Sequence, residues 1–225
     1  MKILKILALS TAHTTCSTAV WDGDRVSAFR EGQSSRSAEL LVPMIEDTMA
    51  DAEETFTTLD AISVITGPGS FTGLRVGLAA ARSIALVSEL PSIGLNSMEV
   101  NAAFVLSHVN DNESIVAALE ARNHEVYMQI FHPEGKDVRA ICAPQRVKVD
   151  GTTPILPETG GVIVGNAAVF LSTKVNQTKG FRVIDPCHAP DARALAKLAH
   201  TRITRFGISI CSTPSPLYLH PLPPL

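Results

Sequence analysis

The residues with the clearest chemical potential lie in the segment GPGSFTGLR, Gly67–Arg75, which joins a short apolar run to a long helical pattern. A glycine turn before a helix exposes backbone N–H groups and the positive end of the helix dipole, which together can bind an anion. A Walker loop, however, requires Lys and then Ser or Thr after its last glycine, whereas Leu74 follows Gly73. The dinucleotide fingerprint requires glycine at the position of Thr72. The segment therefore indicates a strand, a turn and a helix, with only weak support for phosphate binding.

Arg75 and Arg82 are seven residues apart in this helical pattern, so both lie on one side of the helix. Arginine binds carboxylates and phosphates through paired hydrogen bonds. We predict that these side chains pair with acidic residues of a partner or contact a nucleotide phosphate, ordinary solvated arginines being the alternative. Ser10, Thr11 and Arg75 are retained as weak candidates for nucleotide contact.

Hydrolytic chemistry has no matching pattern in the chain. The seven histidines never occur in His-x-x-x-His or HExxH spacing, as a zinc peptidase would require. Ser70 is not in a G-x-S-x-G elbow, and we predict that it caps the following helix. The four cysteines form no CxxC pair, which argues against a zinc site and a disulfide framework. We therefore assign no catalytic and no metal-binding residue.

Hydrophobic periodicity predicts the elements that position these residues. The apolar, β-branched run Ala61–Ile65 is typical of a buried strand, and the pattern from Phe71 to about Ser88 is typical of a helix. The helix predicted before this strand, Ser37–Asp51, contains Pro43. It therefore either starts near Leu40 or kinks. The remaining elements predicted in this half are strands at Ile3–Ser10, Cys16–Trp21, Arg25–Gly32 and Pro91–Leu95, and helices at Ser37–Asp51 and Ser97–Ser107.

The second half follows a polar break at residues 110–112 and resembles a reduced version of the same plan. Its predicted elements are strands at Ile115–Glu120, Glu125–Phe131 and Val162–Gly165, one strand within Val138–Val149, a helical turn at Ala167–Ser172 and a helix at Asp191–Arg205. We predict an α/β fold with subdomains at residues 1–109 and 110–225. A proline-rich tail without regular structure begins at about residue 214.

Gly69, Gly73, Gly77 and Ala81 are spaced four apart and form one row along the predicted central helix. We call these four residues the glycine row. Each glycine inside a helix costs roughly 1 kcal/mol relative to alanine, so two of them require a reason. A smooth row allows another backbone to approach closely. We predict that the row faces a partner chain, the alternative being that it packs against its own sheet.

Composition restricts the class of protein. The 225 residues are 45% hydrophobic and 18% charged, which provides material for a core and argues against disorder. The net charge of −3 gives no global basic surface for nucleic acid. The N-terminal apolar run is too short for a signal peptide, and no stretch approaches the roughly 20 apolar residues of a membrane span. We expect a cytoplasmic protein without membrane association.

Five segments of the chain are distinctive: Leu7–Thr11, Ala38–Ile45, the highly specific Gly67–Gly77, Glu120–Tyr127 and Pro216–Leu219. Together they resemble the TsaB (YeaZ) family. The resemblance implies an actin-like fold of two ribonuclease-H-like subdomains with mixed sheets flanked by helices. It also implies a role in making threonylcarbamoyladenosine in tRNA, as the non-catalytic paralogue and partner of the transferase TsaD.

The family pairs with TsaD through helices of the first subdomain, here Ala38–Asp51 and Phe71–Glu89. The resemblance further implies that a TsaE-like ATPase acts on the complex and that tRNA is reached only through the complex. It leaves open whether ATP or ADP binds at the complex interface and whether the isolated chain is a homodimer. The predicted interface comprises Leu41, Met44, Ile45, Thr48, Gly69, Ser70, Phe71, Gly73, Leu74, Arg75, Gly77, Leu78, Ala81 and Arg82.

The chain departs from the family pattern at the end of the first strand, where relatives usually have aspartate and this chain has Ser10. An actin-like ATPase uses a carboxylate there to organise magnesium and water, and serine cannot supply that charge. This residue argues against the principal alternative, a stand-alone ATPase or kinase of the same fold. The missing ligand spacing argues against the third, an M22-type metallopeptidase.

Overall fold

The computed structural model describes residues 3–149, 156–158, 160–174, 180–184 and 191–219. The strands are β1 Lys5–Ser10, β2 Thr15–Asp22, β3 Arg25–Gln33, β4 Ala61–Gly67, β5 Ser92–Asn96, β6 Ser114–Glu120, β7 Glu125–Glu134, β8 Asp137–Ala140, β9 Gln145–Lys148, β10 Gly161–Val164 and β11 Phe181–Val183. The helices are α1 Ser37–Asp51, α2 Phe71–Val87, α3 Ser97–Phe104, α4 Ala168–Lys174 and α5 Ala192–Phe206. None of the described helices has the length and apolar character needed to cross a bilayer.

The chain forms two compact units, which we call the first and second unit. The first comprises Met1–Ser97 and Pro190–Leu217, and the second comprises Met98–Ala189 and Tyr218–Leu225. This division differs from the predicted one at residue 109, because α5 returns to the first sheet and packs on β1 and β2. The sequence near residue 109 gives no indication that a helix far along the chain packs on the first sheet.

The first unit is built on a five-stranded sheet in the order β3-β2-β1-β4-β5. The first three strands are antiparallel neighbours, whereas β4 and β5 run parallel to β1. Neighbouring residues on β2 contact opposite layers, since successive side chains of a strand alternate between the two faces. Thr18 Oγ1 lies 2.6 Å from Thr48 Oγ1 of α1, whereas the next residue back, Ser17, accepts a hydrogen bond from the backbone N–H of Ala192 in α5. Helices α1 and α2 therefore cover one face, and α5 covers the other.

The second unit contains a six-stranded mixed sheet in which β11-β10-β6 are parallel and β7 and β8 continue antiparallel. Strand β9 also pairs with β7, along the first part of β7 from Glu125 to Met128. Both faces of the central strand β6 are buried: Ile115 packs in one apolar cluster with Met98 of α3, and Val116 in another with Leu171 of α4. The predicted α/β class with two mixed sheets flanked by helices is confirmed.

The order of strands and helices predicted for the first half is confirmed, with boundaries shifted by one to three residues. Helix α1 runs from Ser37 to Asp51 and includes Pro43, so the alternative in which it starts near Leu40 is wrong. Pro43 is exposed and lies in the second turn of the helix. The single strand predicted within Val138–Val149 is two short strands, β8 and β9, and the three-residue β11 was not predicted. Strands this short give too few alternating positions to be recognised.

Ser63 in β4 is an unpaired hydroxyl in the core. It is fully buried, and its Oγ has no hydrogen-bond partner among the residues that the structure describes. An unsatisfied buried polar group costs roughly 1–3 kcal/mol. We therefore expect Ser63→Ala to raise the free energy of unfolding by about 1 kcal/mol, measured by urea denaturation.

Ser97 supplies a matched control for this prediction. It is equally buried, but its Oγ donates a 2.9 Å hydrogen bond to the carbonyl of Pro68. Ser97→Ala removes that bond, so it should lower the free energy of unfolding by about 1 kcal/mol. Equal losses from the two substitutions would contradict the account of Ser63.

Candidate partner-binding surface

The turn between β4 and α2 is fixed by hydrogen bonds within the first unit. Ser70 is the N-cap of α2, as predicted, and its Oγ accepts from the N–H of Gly73 at 3.3 Å. The N–H of Ser70 donates to the carbonyl of Ala12, at 2.7 Å. Thr11 Oγ1 donates to the carbonyl of Gly73, also at 2.7 Å. The loop after β1 and the first turn of α2 are thus joined by hydrogen bonds donated in both directions.

The glycine row lies on this loop. A Cβ atom added at Gly69, Gly73 or Gly77 would meet Ala12 or Thr11 well inside the 3.0 Å that real Cβ contacts respect. At Gly69 and Gly73 the obstacle is a backbone carbonyl oxygen, and at Gly77 it is the Thr11 hydroxyl. The row therefore permits close approach of α2 to the loop after β1 in the same chain. The prediction that it faces a partner chain is wrong.

Eight of the residues predicted at the interface are buried by their own unit. They are Leu41, Ile45 and Thr48 of α1 and Gly73, Leu74, Gly77, Leu78 and Ala81 of α2. Apolar residues at helical spacing mark the face of a helix that covers its own sheet. Met44 and Gly69 are partly buried, whereas Ser70, Phe71, Arg75 and Arg82 are exposed.

The opposite side of α2 carries a continuous exposed row, Phe71, Arg75, Ala79, Ser83 and Leu86, which we call the outer stripe. Its spacing of three and four residues places the row along one side of the helix. The exposed fraction reaches 46% for Phe71 and 81% for Leu86. Val42 of the neighbouring helix α1 is likewise 57% exposed. The predicted interface included Phe71 and Arg75 but missed Ala79, Ser83 and Leu86, although the same helical spacing marks the whole row once the buried side is known.

The two arginines of α2 have different roles. Arg75 stacks on the ring of Phe71, with 3.7 Å between its guanidinium carbon and the ring centroid, and stays exposed. Arg82 donates two hydrogen bonds to the carbonyl of Pro214, that from Nε being 2.8 Å long. The N–H of Leu217 donates to Thr66 at the end of β4. Arg82 thus anchors the proline-rich tail, whereas Arg75 is available at the surface.

The three weak nucleotide candidates do not converge on one site. Ser10 and Thr11 are almost completely buried, and Thr11 lies beneath the glycine row. Arg75 is two residues from both Gly73 and Gly77, which places it about 200° around the helix from each. The hydrogen bonds to Ala12 and Ser70 also occupy two N–H groups that an anion would need at the start of α2. The first turn of α2 is therefore not arranged as a phosphate site.

His13, in the loop after β1, is a partly buried titratable residue without an obvious sequence signal. Its Nε2 is shielded from solvent and has no hydrogen-bond partner among the described residues. Burial lowers the pKa of His13 from 6.5 to about 4, because the charged imidazolium is poorly solvated there. The ring therefore stays neutral in the folded protein at neutral pH.

This pKa predicts an acid-sensitive stability. Below pH 6.5 the unfolded chain binds a proton at His13 that the folded protein does not bind until about pH 4. The free energy of unfolding should therefore fall as the pH decreases through this interval. His13→Leu removes this contribution, so its stability should fall less between pH 7 and pH 4.5 in urea titrations. An unchanged pH dependence would contradict the assignment.

The described residues contain no group of three or more His, Cys, Asp or Glu side chains placed to hold a metal ion. The charged side chains of α1 are all acidic and exposed: Glu39, Glu46, Asp47 and Asp51. By contrast, the charged residues of α2 are both arginines. The outer surface of α1 and α2 therefore combines exposed apolar side chains with acids on α1 and arginines on α2.

Comparison with known proteins identifies the family. The family model described as TsaD, tRNA N6-adenosine threonylcarbamoyltransferase, matches residues 31–184. The TsaB proteins of Escherichia coli and Haemophilus influenzae are 31% and 35% identical to the chain over 150 and 130 residues. The chain belongs to the TsaB (YeaZ) group of this family. The alignments cover 64% and 56% of the chain, and they span only 64% and 53% of those two relatives.

The fold of this family is confirmed by a solved structure. YeaZ from Pseudomonas aeruginosa superposes with a TM-score of 0.80, covering 96% of the chain and all of that protein, at 22% sequence identity. The predicted actin-like fold and the resemblance to TsaB are therefore both confirmed.

Proposed function

We propose that the chain is a non-catalytic subunit required for threonylcarbamoyl transfer to adenosine in tRNA, and that it acts by pairing with a TsaD-like transferase. The relatives support the pathway, since they are described as tRNA threonylcarbamoyladenosine biosynthesis proteins. In this proposal the chain works in the cytoplasm, reaches tRNA as part of the complex and is joined there by a TsaE-like ATPase.

The observation that supports the pairing is the presence of large exposed apolar side chains on two neighbouring helices, Val42 of α1 and Phe71 and Leu86 of α2. Exposed apolar side chains grouped on adjacent helices, with polar residues around them, mark interaction sites on soluble proteins. Ala79 at the centre of the stripe is small, so a helix of the partner can approach closely. The proposed interface therefore uses the outer sides of α1 and α2, and excludes the glycine row.

The chemistry at the end of β1 supports the non-catalytic role. Ser10 is buried and cannot replace the aspartate that an actin-like ATPase places there. Thr11, next to it, is committed to its hydrogen bond with Gly73. In this proposal the transferase partner contributes the reacting groups, and this chain contributes a binding surface.

Pairing is tested by size exclusion with light scattering, using the purified chain and the TsaD-like protein of the same genome. We expect a complex with one copy of each at micromolar concentration. The molar mass of the isolated chain shows whether it is a homodimer. A homodimer that forms through the outer stripe would dissociate when the partner is added. Separate elution of the two proteins at these concentrations would contradict the proposal.

A further inference from the structure

Helix α5 combines a buried apolar side with a basic outer side. Leu195, Leu198 and Ile203 are buried in the first unit, which fixes the orientation of the helix. The outer side carries Arg193, Lys197, Thr201 and Arg205 at a spacing of four residues, all exposed except the partly buried Thr201. This row is about 18 Å long, at a rise of 1.5 Å per residue.

The charge of this helix contrasts with that of the whole protein. Its 15 residues contain four Lys or Arg side chains and no Asp or Glu, in a chain of net charge −3. Arg193 is compensated at the helix start, where Asp191 accepts hydrogen bonds from its guanidinium at 2.6 and 2.9 Å. For Lys197 no ion pair is found within the described part of the chain. Arg193 is therefore paired within its own helix end, whereas Lys197 carries an exposed charge in the middle of the outer side.

An exposed aromatic residue, Phe206, lies next to Arg205 at the end of this row. Phe206, the last residue of α5, is 50% exposed, and the guanidinium carbon of Arg205 lies 4.7 Å from its ring centroid. Exposed aromatic rings and arginine planes are the groups on which proteins stack unpaired RNA bases. Cations that neutralise phosphates, placed beside a stacking platform, form the usual combination of a surface that binds single-stranded RNA.

A membrane surface is the other polyanion that a basic helix can bind. Such helices insert their apolar side into the headgroup region. In α5 that side is already packed on β1 and β2, so no apolar side is left for lipid. The geometry therefore favours RNA.

We propose that Lys197, Arg205 and Phe206 form a direct contact surface for tRNA, with the two cations on the phosphate backbone and the ring against an unpaired base. This inference rests on the proposed function, in which tRNA is the substrate of the complex. It adds that the accessory chain itself holds part of the tRNA.

The test is a titration of unmodified tRNA with the complex of the chain and its transferase partner, followed by fluorescence anisotropy between 0.05 and 0.3 M salt. Each phosphate contact contributes about 0.7–0.9 to the slope of log K against log salt. The double variant Lys197→Gln/Arg205→Gln should therefore reduce the slope by about 1.4–1.8 and weaken binding roughly 25- to 60-fold at 0.1 M salt. Phe206→Ser should weaken binding roughly 5- to 150-fold without changing the slope.

The control is Lys136→Gln/Lys148→Gln, which removes two exposed lysines of the second unit and should leave both quantities unchanged. Unchanged tRNA binding by both α5 variants would overturn the inference. So would loss of binding to phosphatidylglycerol vesicles with tRNA binding intact, because the surface would then serve a membrane.

Pairing with the transferase and threonylcarbamoyl transfer are measured on the same preparations, so the two proposals can fail separately. If the complex forms and transfers but the α5 variants bind tRNA normally, only the inference fails. If no complex forms, the proposed function fails. The titration is then made with the chain alone, and the same decrease in salt slope is required.

Discussion

Gly73→Ala is expected to lower the free energy of unfolding by about 3 kcal/mol. The new Cβ would collide with the backbone carbonyl of Thr11, which cannot rotate away as a flexible side chain could. In an isolated helix the same substitution would stabilise by roughly 1 kcal/mol, because alanine has the better helix propensity. The sign of the change therefore reports whether the row is packed within the chain. Urea denaturation followed by circular dichroism measures it.

Two further variants of α2 make this prediction specific. Gly77→Ala should cost less than Gly73→Ala, since the Thr11 hydroxyl that it meets can move, although the hydrogen bond from Thr11 to Gly73 is then lost. Thr72→Ala lies on an exposed position of the same turn and should be neutral or slightly stabilising. A Gly73→Ala protein more stable than the parent would refute the close packing.

Ala79→Glu is expected to weaken pairing with the transferase roughly 100-fold while leaving the fold intact. Ala79 is exposed at the centre of the outer stripe, so a longer polar side chain is solvated in the free protein. In the complex the longer side chain would keep the partner from approaching the stripe closely, and this overpacking costs about 3 kcal/mol, or two decades in affinity. Isothermal titration calorimetry with the transferase partner measures the loss, and the melting temperature of the free chain should be unchanged.

Ala143→Glu is the matched control for this substitution. Ala143 is exposed in the second unit, so the same chemical change there should leave pairing unaffected. Equal affinities of the Ala79→Glu and Ala143→Glu proteins for the transferase would mean that the outer stripe is not the interface.

The sequence could predict the elements of the first unit because each has a clear local signal. The β-branched run of β4, the glycine turn, the Ser70 cap and the helical pattern of α2 follow one another directly, and all four are present in the structure. The spacing of the glycine row also predicted a close approach correctly. The spacing could not show which backbone approaches the row. A loop of the same chain and a helix of a partner would both need glycine at these positions.

The parts that sequence reasoning missed depend on contacts between distant residues. Arg82 is paired with the carbonyl of Pro214, 132 positions away, and nothing near either residue indicates the other. The return of α5 to the first sheet is of the same kind. The net charge of −3 did not indicate the basic side of α5, because the charge of the whole chain says nothing about where its cations lie.

The central claim is that the chain enables a transferase without doing the chemistry itself. The most direct measurement is the formation of threonylcarbamoyladenosine in unmodified tRNA, with threonylcarbamoyl-AMP as donor, by the TsaD-like protein in the presence and absence of this chain. We predict efficient transfer with both proteins, little with the transferase alone, and none with this chain alone. Transfer by this chain alone, or an equal rate when it is omitted, would contradict the claim.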